Sequence, residues 1–164
     1  MSYNMKITLI AILVALFGNA ITNAAEVTKV DNNVYITGNI EVLDYAKVVN
    51  LVDYNDNVIL KSNGGLTYTA LAMGYHLNKL NVKTIVNEER YSACGLLFFA
   101  GKHQELNGTI GIHCTHIKKV CLDKDHEANK SIRFYLNEVN PKVTKLYFKY
   151  ADKLTLTIFR KWDI

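Results

Sequence analysis

Proline is almost missing from this chain, with Pro141 the only one in 164 residues. No Pro-, Gly- or Ser-rich stretch stands where a linker would be needed, and there is no internal repeat or low-complexity tract. At this length the chain is expected to be one compact domain. Cysteine is scarce too, at three residues, and no Cys-x-x-Cys pair exists. His113, Cys114 and His116 form a tight cluster with no second pair to complete a tetrahedral zinc site, so no metal is expected. Charge of one sign is not concentrated: 19 basic residues face 15 acidic ones, scattered except near Lys142–Lys149 and Arg160-Lys161. That balance argues against a nucleic-acid partner. Hydrophobic residues at 49% and charged residues at 21% are ordinary values for a folded domain. No cofactor is expected.

A long apolar run is also lacking. Met1–Lys6 carries one positive charge, and the uninterrupted run Ile7–Phe17, in which only Thr8 is polar, meets Gly18 and Asn19. A spanning helix needs about 20 predominantly apolar residues. A short basic start, an apolar run and the small residues of Gly18-Asn19-Ala20 and Thr22-Asn23-Ala24 make the three-part pattern of a secretory signal peptide. Residues 1–24 are therefore expected to be a cleaved signal, with an uncleaved anchor as the alternative. No cysteine near the candidate cleavage sites supports a lipid anchor. Taking Lys6 from the 19 basic residues leaves 18 against 15 acidic, a charge of about +3 on residues 25–164. The expected location is periplasmic or secreted, with no stable membrane span after cleavage. Disulfides are permitted there, and an odd cysteine count leaves at least one thiol unpaired within the monomer. Cys114 and Cys121 would close a short loop with Cys94 left over; three small buried hydrophobes are the alternative.

Periodicity then gives the coarse order of elements. Lys29–Thr37 alternates through Val34 and Ile36 as a strand closed by Gly38. Val42–Val52 has the apolar spacing of a helix face, and Asp53–Asn57 is a turn. Val58–Lys61 is a short buried strand, Thr67–Leu80 a helix and Val82–Val86 a strand. Ser92–Ala100 is a strongly apolar segment ended by Gly101, and Thr109–His113 is a further strand. His126–Leu136 reads as a helix, Pro141 starts a new element, and Val143–Leu154 is a last helix. Alternation of this kind predicts an α/β fold with a mostly parallel sheet and crossover helices. Reactive groups in that class sit where strand ends give way to loops and helix starts.

Three features fall at such ends. Ser62-Asn63-Gly64-Gly65 follows a strand and precedes a helix, where paired glycines permit close backbone approach and N–H groups point outward. Tyr91-Ser92-Ala93-Cys94-Gly95 opens the apolar segment; the serine is either a plain N-cap or a nucleophile presented beside free backbone donors. Ile110-Gly111-Ile112-His113 ends a strand in a histidine, either a satisfied core residue or a general base. Each alone has a bland explanation, and their order and spacing give them meaning together.

The joined set KSNGG, YSACGLLFFAG and TIGIHC, spanning about Val58 to Cys114, resembles the ClpP/crotonase superfamily, most closely its small ClpP-like periplasmic serine protease branch. The resemblance implies a ClpP/crotonase-like fold and a serine hydrolase, peptidase-like, acting on a peptide or protein. It matches Ser92 to the nucleophile, His113 to the general base, and the Gly65 and Ala93 N–H groups to the oxyanion hole. A third residue is not marked by any motif. Asp152 is the carboxylate favoured by rough position; Asn140 is a substitute, and Asp123 and Asp125 follow His113 too closely. Two residues depart from the family pattern: Asn63 stands for the usual proline and is expected to loosen the turn, and Tyr91 stands for a small residue and is expected to narrow the approach to Ser92. These departures motivate an alternative, a catalytically inactive ClpP-like module that binds a peptide or partner. The acyl-coenzyme A chemistry of the crotonase side fits poorly with an exported chain. Residues 25–164 are short for this fold, which implies no extended arm of the ring-forming proteases and leaves a homo-oligomer open. His103 and His126 read as solvated, His76 as a helix residue without a visible partner, and Phe98-Phe99 as core. Trp162 reads as packing the terminus.

Overall fold

The computed structural model describes residues 24–153 and 157–159. The expected signal segment other than Ala24, the Arg160-Lys161 pair and Trp162 lie outside the described residues. The described residues open with an antiparallel hairpin, β1 (Glu26–Val30) and β2 (Asn33–Thr37). Helix α1 (Asp44–Leu51) leads to β3 (Asn57–Lys61), and α2 (Thr67–Lys79) leads to β4 (Lys83–Val86). Then come β5 (Glu89–Tyr91), α3 (Ala93–Ala100), β6 (His103–Leu106) and β7 (Thr109–Ile112). A two-residue hairpin, β8 (His116–Ile117) and β9 (Val120–Cys121), precedes α4 (Glu127–Val139), α5 (Pro141–Tyr150) and β10 (Thr157–Phe159).

The main sheet has the order β1-β2-β3-β4-β6, and every pair in it except β1–β2 is parallel. This is the mixed α/β architecture with a mostly parallel sheet that alternation predicts. A second sheet, β10-β7-β5, stands apart from the first and carries the strand that leads to His113. In it β5 runs parallel to β7, with Tyr91 opposite Gly111. Parallel partners leave a sheet at the same end, so Ser92 and His113, each just beyond its strand, emerge together.

Helix α3 explains how the two layers join. All eight of its residues are buried, as an all-apolar helix requires; burial of each Leu or Phe is worth about 1.5–3 kcal/mol. The carbonyls at the end of a buried helix need partners. Here the Thr84 hydroxyl donates to the Phe98 carbonyl at 2.7 Å, Gln104 Nε2 to Phe99 at 3.1 Å, and Asn78 Nδ2 to Ala100 at 2.8 Å. The Tyr135 hydroxyl, also buried, donates to the Leu96 carbonyl at 2.7 Å and binds α4 to the same helix. Phe98 and Phe99 are core.

At the other end of the fold the buried carboxylate of Asp44 accepts from the Ala25 and Glu41 N–H groups at 2.9 and 2.8 Å and pairs with Lys47 at 2.7 Å. A buried charge is tolerable only when satisfied in this way. Helix α5 starts at Pro141, whose missing N–H costs nothing at a first helical position, and ends at Tyr150, earlier than Leu154. His126 is exposed and caps α4, its Nδ1 accepting from the Ala128 N–H at 3.2 Å. His76 is half-buried, and burial, helped by Lys79, holds its imidazole below the ordinary range. Among the described residues no helix is long and apolar enough to cross a membrane.

Candidate active site

Ser92 stands between β5 and α3 with φ +58° and ψ −129°. An L residue at positive φ is held in a sparsely populated conformation, at a cost of about 1–3 kcal/mol, and persists only where its surroundings over-determine it. They do so here: the Ser92 N–H donates to the Gly111 carbonyl at 2.8 Å, and the Ser92 carbonyl accepts from the Gly95 N–H at 2.9 Å. Ser92 occupies the N-cap position, yet its side chain makes no capping hydrogen bond. Its hydroxyl is therefore not consumed by the ordinary task of a helix-opening serine.

The glycine turn abuts this serine. Gly64 has φ +104°, and a Cβ there would stand 2.7 Å from the Ser92 Cβ. The buried Ser62 hydroxyl accepts from the Gly64 N–H at 3.1 Å. Ile40 locks the turn from the far side: its N–H donates to the Gly64 carbonyl at 2.8 Å, and its carbonyl accepts from the Leu66 N–H at 2.9 Å. Neither bond uses the Gly65 N–H. So the turn around Asn63 is firmly held, and the loosening expected of that residue is not found. Arg90 adds a brace from β5, donating through Nε to the Leu60 carbonyl at 3.1 Å.

Gly65, Ser92, Ala93 and His113 line one cavity of about 110 Å³, with Leu96, Ile132 and Tyr147 as its apolar wall. A space this small admits one side chain or acyl group, since sites that enclose whole small molecules run to about 300–1,000 Å³. Ala93, the first helical residue, has an N–H with no acceptor within its own helix. Tyr91 does not line the cavity; its hydroxyl donates to the Glu89 carboxylate, so the narrowing expected from its size is not found.

His113 is half-buried, and its Nδ1 lies 2.7 Å from the Cys114 carbonyl oxygen. A carbonyl only accepts, so Nδ1 carries the donated proton, and in the neutral imidazole the lone pair is then on Nε2. The His116 ring stacks on His113, with centroids 5.1 Å apart and planes at 30°. Asp152 is not brought to the imidazole. It lies on an exposed turn after α5 and lines a separate cavity of about 430 Å³ together with Asp123 and Arg133. Asn140 joins α4 to α5, and Asp125 is exposed; neither lines the serine cavity. The sequence assigns no role beside His113 to the Cys114 carbonyl, or to His116, which it shows only in an incomplete zinc cluster. The carbonyl has no side-chain letter to find; the spacing His113-Cys114-Thr115-His116 was the only signal for the second ring.

Cys114 and Cys121 form a disulfide, and Cys94 is free and buried. Burial pushes the Cys94 thiol up to about 12, which leaves it without nucleophilic character at neutral pH. Among the described residues no group of three or more His, Cys, Asp or Glu is arranged to hold a metal ion.

No family model matches the chain, and no curated protein matches it in sequence. Solved structures match it in fold. The crystal structure of the ClpP protease catalytic domain from Plasmodium falciparum superposes with a TM-score of 0.56 at 18% identity, covering 75% of this chain and 74% of that one. The fold is ClpP-like. At that identity the likeness speaks for the ClpP-like arrangement of strands and helices, and the chemistry rests on this chain's own residues.

Proposed function

We propose that the chain is an exported serine hydrolase, by substrate class a peptidase, with Ser92 as nucleophile and His113 as general base. The observation that carries the reading is the uncapped, strained Ser92 at the head of α3, facing a cavity that also takes in His113, Gly65 and Ala93. A serine hydroxyl is a weak nucleophile until a base accepts its proton. In the neutral imidazole of His113, with a proton on Nδ1, Nε2 takes the hydroxyl proton as Oγ attacks the substrate carbonyl carbon. The negative charge formed on the carbonyl oxygen is then held by the Gly65 and Ala93 N–H groups, each worth about 3–4 kcal/mol to the transition state. The helix N-terminus adds a favourable field. Collapse breaks the amide bond, His113 returns the proton to the leaving amine, and water repeats the cycle on the acyl-serine.

The Cys114 carbonyl orients His113 but is neutral. Hydrogen bonds to an ionised partner are roughly twice as strong as neutral ones, so the imidazolium is stabilised less here than it would be by a carboxylate. Turnover is accordingly expected to be slow. The same observation favours the second reading, an inactive ClpP-like module that binds a peptide. Export, a periplasmic or secreted location and self-association belong to the proposal, and cleavage after Ala24 and the solution mass test them. The enzymatic core is tested by a fluorophosphonate probe: the wild type is expected to be labelled, and Ser92→Ala to lose the label. Peptide binding at the cleft without labelling would favour the module instead.

A further inference from the structure

The geometry points to a positioning role for the disulfide-closed hairpin of residues 114–121: we propose that it holds His113 for catalysis, and that reducing the bridge switches the serine site off. This rests on the serine-hydrolase reading. Two groups touch the His113 ring from this hairpin. The Cys114 carbonyl accepts from Nδ1 at 2.7 Å, and the His116 ring stacks on the imidazole. Between them they do the orienting part of a triad carboxylate's work, fixing the tautomer and the plane of the ring.

The hairpin cannot hold that shape unaided. Strands β8 and β9 pair through two residues each, His116 with Cys121 and Ile117 with Val120, and a lone two-stranded hairpin is marginal even when longer. Its tip is unfavourable, since Lys118 and Lys119 both have positive φ, +48° and +65°, where a tight hairpin turn prefers Asn and Gly. Residues His116 to Val120 are exposed, so no core packing fixes them. The Cys114–Cys121 bridge anchors the loop itself, with the Leu122 N–H donating to the Thr115 carbonyl and the Cys114 N–H to the Lys153 carbonyl, both at 2.8 Å. Asn129 Nδ2 holds the chain just beyond it through the Leu122 and Asp123 carbonyls at 3.2 and 2.8 Å. The bridge closes the loop beside the groups that position His113.

Reduction is a two-electron step. A dithiol gives two electrons and two protons, the S–S bond breaks, Cys114 and Cys121 become thiols, and the dithiol closes to its own disulfide. In an oxidising compartment the bridge forms and persists, so activity would be coupled to export. Cys94, buried in α3, is not a party to this exchange. The titratable side chains lining the cavity beside His113 are His116 on the hairpin and Tyr147 on α5; Lys118 and Lys119 stand at the exposed tip, and Asp123 and Asp152 line the adjoining cavity.

The test uses the full chain, oxidised and after dithiothreitol. Two readouts are followed: the rate of Ser92 labelling by a fluorophosphonate, and the His113 ring nitrogens by NMR. Reduction is expected to slow labelling about tenfold or more and to erase the Nδ1–H signature, with the far-ultraviolet circular dichroism kept and reoxidation restoring both. The double variant Cys114→Ala/Cys121→Ala is expected to behave as the reduced protein without reductant. An unchanged labelling rate and an unchanged ring signature after reduction overturn the proposal. Should reduction unfold the domain, His116→Leu with the bridge intact decides it: a labelling pH profile displaced from wild type supports positioning, and an identical profile overturns it. If the oxidised wild type takes no label at all, the hydrolase reading fails, and the ring signature alone decides whether the hairpin positions His113.

Discussion

Substituting Gly64 by alanine should damage stability and the site together, because the new methyl group has nowhere to go. Its Cβ would stand 2.7 Å from the Ser92 Cβ, 2.9 Å from the Tyr91 carbonyl oxygen and 3.0 Å from the Ala93 nitrogen. Two of these neighbours are backbone atoms and the third is the root of a side chain, so none can swing aside. The backbone at φ +104° also disfavours any L residue, at roughly 1–2 kcal/mol. Overpacking adds about 1–3 kcal/mol, for a loss of roughly 2–5 kcal/mol against the 5–15 kcal/mol that holds a typical domain together. At about 2–4 °C per kcal/mol for a chain of this size, the melting temperature should fall by roughly 4–20 °C. Relief of the clash would move Ser92, and displacement of a reacting group by about 1 Å can cost a hundredfold in rate. Thermal melting and fluorophosphonate labelling well below the midpoint measure the two effects. A variant that melts within roughly 2 °C of wild type and labels at the same rate would refute the claim that Gly64 sets the serine turn.

Two further outcomes follow from the geometry. Asp152→Asn should change the labelling rate less than about twofold, because its carboxylate lines the neighbouring cavity; a loss of about a hundredfold or more, on the scale of losing a triad carboxylate, would return Asp152 to the triad. The Cys94 thiol is raised by burial from 9.0 to about 12. Between those values the unfolded chain has released this proton while the folded one keeps it. Its stabilising contribution is therefore complete below pH 9 and declines as pH rises, by at most about 1.4 kcal/mol per unit. Denaturant unfolding at pH 8.5, 9.5 and 10.5 should show a shallower decline in Cys94→Ala than in wild type; equal slopes would count against it.

Elements with a buried face were legible because burial writes a period into the sequence. Helices α1 and α2 and strand β3 fall within a residue or two of the positions their apolar spacing predicts. Strand β6 was missed because His103, Gln104 and Glu105 precede its one buried residue, Leu106, at the edge of the main sheet. Strand β5 is only Glu89, Arg90 and Tyr91, and its pairing with β7 is a tertiary fact without a local pattern. The β8–β9 hairpin follows from a cross-link, and two cysteines seven apart do not announce whether they pair. At the site, side chains at strand ends could be read in order. The partner of His113 could not: a backbone carbonyl is the same at every residue, and only the folded chain says which one an imidazole meets.

On the proposed reading a hydroxyl at position 92, an imidazole at 113 and the amides of 65 and 93 act on one carbonyl. The crystal structure of the wild-type protein after reaction with a fluorophosphonate tests it most directly. Phosphorus is expected on Ser92 Oγ, with the phosphoryl oxygen about 2.7–3.1 Å from both the Gly65 and Ala93 nitrogens. An adduct on another residue, or a phosphoryl oxygen turned away from those two amides, would contradict it.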